Sequence, residues 1–147
     1  FYHRLYPLII NNTTKNQWNV STLTLWFVNN QNKLFNLYFD PNSTPLVYSP
    51  FEVMTYGYGS CTGYSLFVIA ALRSIGIAVR MVGTPSWVST CTNLTGNHDW
   101  IEIYDENGYW SFTDAPGGYG QMNVTWFYPQ YTNCQIAGSL NHSIYAS

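Results

Sequence analysis

Gly59-Ser60-Cys61-Thr62-Gly63-Tyr64-Ser65 and the apolar run Leu66–Ile75 behind it decide how this chain reads. The run is apolar on nearly every side, with Arg73 its only charge, so it predicts a helix from about Cys61 to Ile75 buried at the centre of a domain. Cys61 follows a glycine-bearing turn at the threshold of that helix. There, free backbone N–H groups and the positive end of the helix dipole favour a thiolate, which suits a nucleophile. The competing reading is a small buried cysteine packed as a hydrophobe. Gly76 is a ready stop, and Ile77–Val82 reads as a strand ended by Gly83-Thr84-Pro85.

Downstream lies a hairpin, His98–Asp105 against Tyr109–Asp114, with Asn107-Gly108 at its tip. Its loop length carries functional weight. A three-residue loop, Glu106-Asn107-Gly108 with Gly108 left-handed, pairs Asp105 with Tyr109 and sets Trp100 opposite Asp114, with His98 its diagonal neighbour on one face. A two-residue Asn107-Gly108 turn, absent a bulge, puts His98 and Asp114 on opposite faces. A nucleophilic thiol needs a base within hydrogen-bond reach and a third group to orient that base. Cys61, His98 and Asp114 supply these types, so their catalytic use predicts the three-residue loop or a bulge.

Upstream, Trp18–Val28 fits a strand or an amphipathic helix, and periodicity does not separate the two. The short apolar run Leu34–Phe39 is closed by the turn Asp40-Pro41-Asn42-Ser43, and Phe51–Met54 leads to the loop Tyr56-Gly57-Tyr58-Gly59. Residues Ser86–Asn97 read as a surface loop. Val124–Tyr128 reads as a strand before Pro129, and no element is evident past Cys134.

The 147 residues suit one domain, 1–147, with its core at about 51–128, a poorly readable 1–50 and a tail at 129–147. No apolar stretch is long enough to span a membrane, and the absence of a basic-then-apolar leader before Phe1 reads as a mature or trimmed segment. Only 8% of residues are charged, against about 25% in ordinary soluble domains, so something other than charge must keep the surface wet. Sequons at Asn11, Asn12, Asn19, Asn42, Asn93, Asn123 and Asn141 offer glycans for that role and point to a secreted or cell-surface protein. A net charge of −2 with five basic residues argues against nucleic acid and anionic membranes as partners. The odd cysteine count, Cys61, Cys91 and Cys134, leaves a reactive thiol or an intermolecular bridge; if Cys91 and Cys134 form a disulfide, Cys61 is left over. Their spacing fits no zinc site, and no cofactor is expected.

The runs GSCTGYSLFVIAALRSIGIAVRMVGTPSW and NHDWIEIYDENGYWSFTDA, with a later TWF, resemble the transglutaminase-like superfamily, whose core is a papain-like thiol fold. The resemblance covers Tyr56–Phe127. It rests on a cysteine opening a helix, an Arg-x-x-Gly step, a His-x-Trp-x-Glu strand and a Trp-x-x-x-Asp strand. It implies an α+β fold, a buried central helix carrying Cys61 at its N-terminus packed on an antiparallel β-sheet. It also implies Cys61 as nucleophile, His98 as general base and then acid, Asp114 as the group orienting the imidazole, and acyl transfer through a thioester to water or an amine.

The substrate expected is an amide in a protein, peptide or glycopeptide. An upstream oxyanion donor is sought among Tyr56, Tyr58 and Trp18. Asp99, next to the histidine, is expected to point away from the ring by strand alternation. Trp100, Glu102 and Trp110 read as packing and hydrogen-bonding residues, Arg80 as a partner of Glu102, and His3 and His142 as solvated bystanders. A reading from a different class is a catalytically inert extracellular binding or assembly module that retains the fold.

Overall fold

The computed structural model describes residues 1–3, 6–7, 19–90 and 95–147. Helix α1 (Val20–Phe35) resolves the strand-or-helix ambiguity of the segment up to Val28. Thr24, Phe27, Val28 and Gln31 form its buried stripe at helical spacing. Asn19 caps its start by accepting from the Thr22 N–H, and Asn36, left-handed at φ 54°, ends it.

Strand β1 (Tyr38–Phe39) then pairs in parallel with β2 (Tyr58–Gly59). Between them lies α2 (Pro50–Tyr56), where the expected short piece is a helix. Ser49 and Glu52 close a capping box at its start, and Pro50 supplies a φ already suited to the first turn. The Asp40 turn forms as expected, its carboxylate accepting from the Asn42 N–H and from the Ser43 N–H and hydroxyl.

The central helix α3 (Cys61–Ser74) is buried at Gly63, Tyr64, Ser65, Phe67, Val68, Ile69, Ala71 and Leu72, nearly all the way round. Tyr64 ties it to α1 through a 2.8 Å hydrogen bond from its hydroxyl to Asn32. Beneath it lies an antiparallel sheet in the order β5-β4-β3-β6, comprising β3 (Val79–Thr84), β4 (His98–Tyr104), β5 (Trp110–Thr113) and β6 (Tyr145–Ala146). Alternation divides β4 between two cores. Ile101 and Ile103 join Phe27, Phe67 and Leu72 under α3, while Trp100 packs with Val82, Trp87 and Phe127 on the other face. Fully burying side chains of this size stabilises by about 1.5–3 kcal/mol each before entropy is counted.

The hairpin has the three-residue loop. Gly108 is left-handed at φ 83°, and the register Tyr104↔Trp110, Ile103↔Ser111, Glu102↔Phe112, Ile101↔Thr113 brings Asp114 opposite Trp100. Asp105 pins the turn by accepting from the N–H groups of Asn107 and Tyr109 and from the Ser111 hydroxyl.

Three expectations shift. Strand β3 begins at Val79 because the Ile77 N–H is still spent on the Leu72 carbonyl at the helix end, and it runs on through Gly83 and Thr84. Val124–Tyr128 is not a strand but an irregular stretch that enters a turn at Trp126. Adjacent Trp126 and Phe127 both pack on His98, whereas a strand would send them to opposite faces. Past Cys134 the chain returns as β6, two residues bonded to Val82 and Gly83.

Candidate active site

Three elements converge at one end of the sheet. Cys61 is the first residue of α3, His98 opens β4, and Asp114 follows β5. The Ser60 side chain caps α3 by accepting from the Gly63 N–H, which leaves the Cys61 and Thr62 N–H groups in the first turn without intrahelical partners. Cys61 is a half-buried free thiol, while His98 and Asp114 are buried.

His98 Nε2 stands 3.2 Å from Asp114 Oδ1. That distance makes an ion pair, although the ring N–H is not aligned for a full hydrogen bond. With Nε2 turned to the carboxylate, Nδ1 is the nitrogen available to the Cys61 thiol. Trp126 completes the line, its indole N–H donating to Asp114 Oδ2 at 2.8 Å. Each carboxylate oxygen therefore faces its own donor.

The electrostatics follow from burial and contact. Burial, the largest influence on the Cys61 thiol, pushes it up. Hydrogen bonding to His98 and to the Asp99 backbone N–H, with the imidazole's positive charge, outweighs that and holds the thiol below its ordinary range, while the Asp99 carboxylate opposes. Burial likewise works against the imidazolium of His98, yet its contacts with Asp114 and Cys61 win and raise it from 6.5 to about 9. The two shifts are one effect seen from either partner, and they favour a thiolate–imidazolium pair.

Aromatic rings enclose the imidazole. Centroids of Trp126, Phe127, Trp100 and Trp87 lie 4.9, 5.2, 6.0 and 6.3 Å from it. The thiol, imidazole and carboxylate open on a cleft of about 430 Å³ whose other walls are Phe39, Pro41, Trp87, Thr95, Asn97, Pro116 and Trp126.

The sequence does not single out Trp87 or Trp126 for this site. Their only signal is the abundance of aromatics around the hairpin and the TWF run. Asp99 does point away from the ring, toward α3, where it accepts from the Thr62 hydroxyl at 2.5 Å. Tyr58 spends its hydroxyl on the Pro45 carbonyl at 2.7 Å, and Tyr56 is half exposed beside it. Neither lines the cleft. Trp18 lies outside the described residues.

Arg80 pairs with Glu102 across β3 and β4, its guanidinium 4.0 Å over the Trp110 ring. His142 is half buried with Nδ1 3.1 Å from the Ser86 carbonyl, so it is not a bystander. Cys91, Asn93, Asn11 and Asn12 lie outside the described residues. Among the described residues there is no disulfide, no group of three or more His, Cys, Asp or Glu able to hold a metal, and no helix long and apolar enough to cross a membrane.

Residues 7–115 match the model of the transglutaminase-like superfamily, and the chain belongs to that superfamily. Its fold is one used by cysteine-dependent enzymes. Among solved structures it is similar to Legionella pneumophila LapG in a calcium-bound form, at 20% identity and a TM-score of 0.50 over 74% of this chain and 60% of that one. The EGTA-treated form of LapG gives a TM-score of 0.51 at the same identity, covering 74% of this chain and 59% of that one. A structure described as a TGase gives 0.55 at 13% identity, covering 97% of this chain and 42% of that one. The chain thus spans about 60% of the length of the LapG structures, and at these identities the likeness is one of fold. No curated protein sequence matches it.

Proposed function

We propose that this chain is a secreted cysteine-dependent acyl-transfer enzyme acting on an amide bond of a protein or peptide. The observation that carries the reading is the contiguous line Cys61, His98, Asp114 at the mouth of an open cleft. The Cys61 thiolate attacks the amide carbonyl, and the tetrahedral oxyanion is received by the free N–H groups of the first α3 turn. Collapse breaks the C–N bond, His98 gives its proton to the departing amine, and a thioester remains on Cys61. His98 then takes a proton from water or from an incoming amine, whose attack on the thioester releases the acyl group and restores the thiol. Asp114 holds the ring through Nε2 and offsets its charge. Among the described residues the only ionisable groups lining the cleft are those of the triad itself, which suits uncharged residues on either side of the scissile bond.

Placement outside the cytoplasm rests on the sequons. Asn19, Asn42, Asn123 and Asn141 are exposed, although Asn123 also engages its amide with the Phe112 N–H and the Ser111 hydroxyl. The test is incubation of unfolded casein with the protein and with Cys61→Ala, with and without a primary amine, followed by mass spectrometry. New peptide termini signal hydrolysis, and amine incorporation signals transamidation. If neither depends on Cys61, the proposal is wrong.

A further inference from the structure

We infer that Asp99 is a positioning residue for Cys61, gripping the first turn of α3 at two points so that the sulfur stays against His98. The inference rests on the function proposed above. Three observations meet at this residue. The Asp99 carboxylate accepts from the Thr62 hydroxyl at 2.5 Å, one residue beyond the thiol. The Asp99 backbone N–H faces the Cys61 sulfur as a donor. On β3, directly opposite Asp99 in the register, stands Gly83. A methyl group there would overlap the Asp99 carboxylate and stand 2.8 Å from the His98 carbonyl oxygen. The glycine leaves room for this side chain to lie flat across β3 toward the helix start.

A carboxylate here is electrostatically unhelpful to a thiolate, because it pushes the thiol up. Position and charge therefore act in opposite directions, which makes them separable. The groups facing Cys61 are His98 and Asp99 from β4, with Asp114 behind the imidazole. From the loop after β1, Asp40 is tied to Asn42 and Ser43. Among the described residues no lysine or arginine lines the cleft.

The experiment is the rate of Cys61 alkylation by iodoacetamide between pH 5 and 9, with thermal melts to verify folding, in the unmodified protein and in Asp99→Ala, Asp99→Asn, Thr62→Val and Thr62→Ser. Displacing the sulfur by a fraction of an ångström to an ångström should slow the low-pH reaction about tenfold or more in Asp99→Ala and Thr62→Val. Asp99→Asn keeps an acceptor for Thr62 and Thr62→Ser keeps the donor, so both should retain the low-pH reaction. If Asp99 acts by charge alone, Asp99→Ala and Asp99→Asn both become more reactive at low pH and Thr62→Val is unchanged; that result overturns the inference. If the unmodified protein itself lacks low-pH reactivity, the proposed function fails first, and the positioning role falls with it.

Discussion

Replacing Asp114 by asparagine removes a charge while keeping the side chain's shape, and the structure sets the size of the effect. His98 is raised from 6.5 to about 9, a preference for the imidazolium on the order of 3 kcal/mol, with its close contact to the Asp114 carboxylate the largest favourable cause. Measured in a Cys61→Ala background, so that the thiol does not share the titration, the imidazole should stay above 6.5 with Asp114 present. With Asp114→Asn added, burial is the main remaining influence, and it favours the neutral ring. The imidazole should then titrate at or below 6.5, read from its proton resonances by NMR.

The same substitution should also destabilise the fold. Asp114 offers one oxygen to His98 and the other to Trp126, both donors, whereas an amide accepts at only one of the two positions. One buried donor is left facing an NH2 group, a loss of about 1–3 kcal/mol in urea unfolding. An imidazole that titrates equally in both backgrounds would refute the reasoning.

Two other substitutions test the framework around the triad. Trp126→Phe keeps a ring against His98 but leaves Asp114 Oδ2 without its donor, and should cost about 1.5–3 kcal/mol in urea unfolding; a change below about 0.5 kcal/mol would show that the indole N–H contributes little. Gly83→Ala forces a methyl group against Asp99 and the His98 carbonyl, and should destabilise by about 1–3 kcal/mol, lowering the melting temperature by several degrees; an unchanged melting temperature would mean that the space at Gly83 is not needed.

What could be read from the sequence was whatever left a single physical solution. The uniformly apolar run after Cys61 reads as a buried helix, whereas Asn107-Gly108 left two registers open, of which the structure takes the three-residue loop that puts His98 and Asp114 on one face. The N-terminal helix was hidden because its buried stripe includes Thr24 and Gln31, polar residues that blur the helical period. The Gln31 amide NH2 donates to the Val28 carbonyl on its own helix and finds its second acceptor, the Ala115 carbonyl, only in the tertiary structure. The α2 start was present as Ser49-Pro50-Phe51-Glu52, a capping box whose signal is carried by two polar residues rather than by the apolar run. Trp126 and Phe127 have strand-forming side chains, but what places them is packing on His98, Trp87 and Trp100. Strand β6 is two residues long and exists because β3 has an edge to offer.

The most direct test of the central claim is the pH profile of Cys61 alkylation in the native protein and in His98→Ala. The thiol is held below its ordinary range by His98, so native reactivity should rise at a pH well below that of a free cysteine and persist through neutrality. In His98→Ala that low-pH limb should vanish, leaving reactivity that appears only in or above the ordinary thiol range. Identical profiles in the two proteins would contradict the thiolate–imidazolium pair and the enzymatic reading built on it.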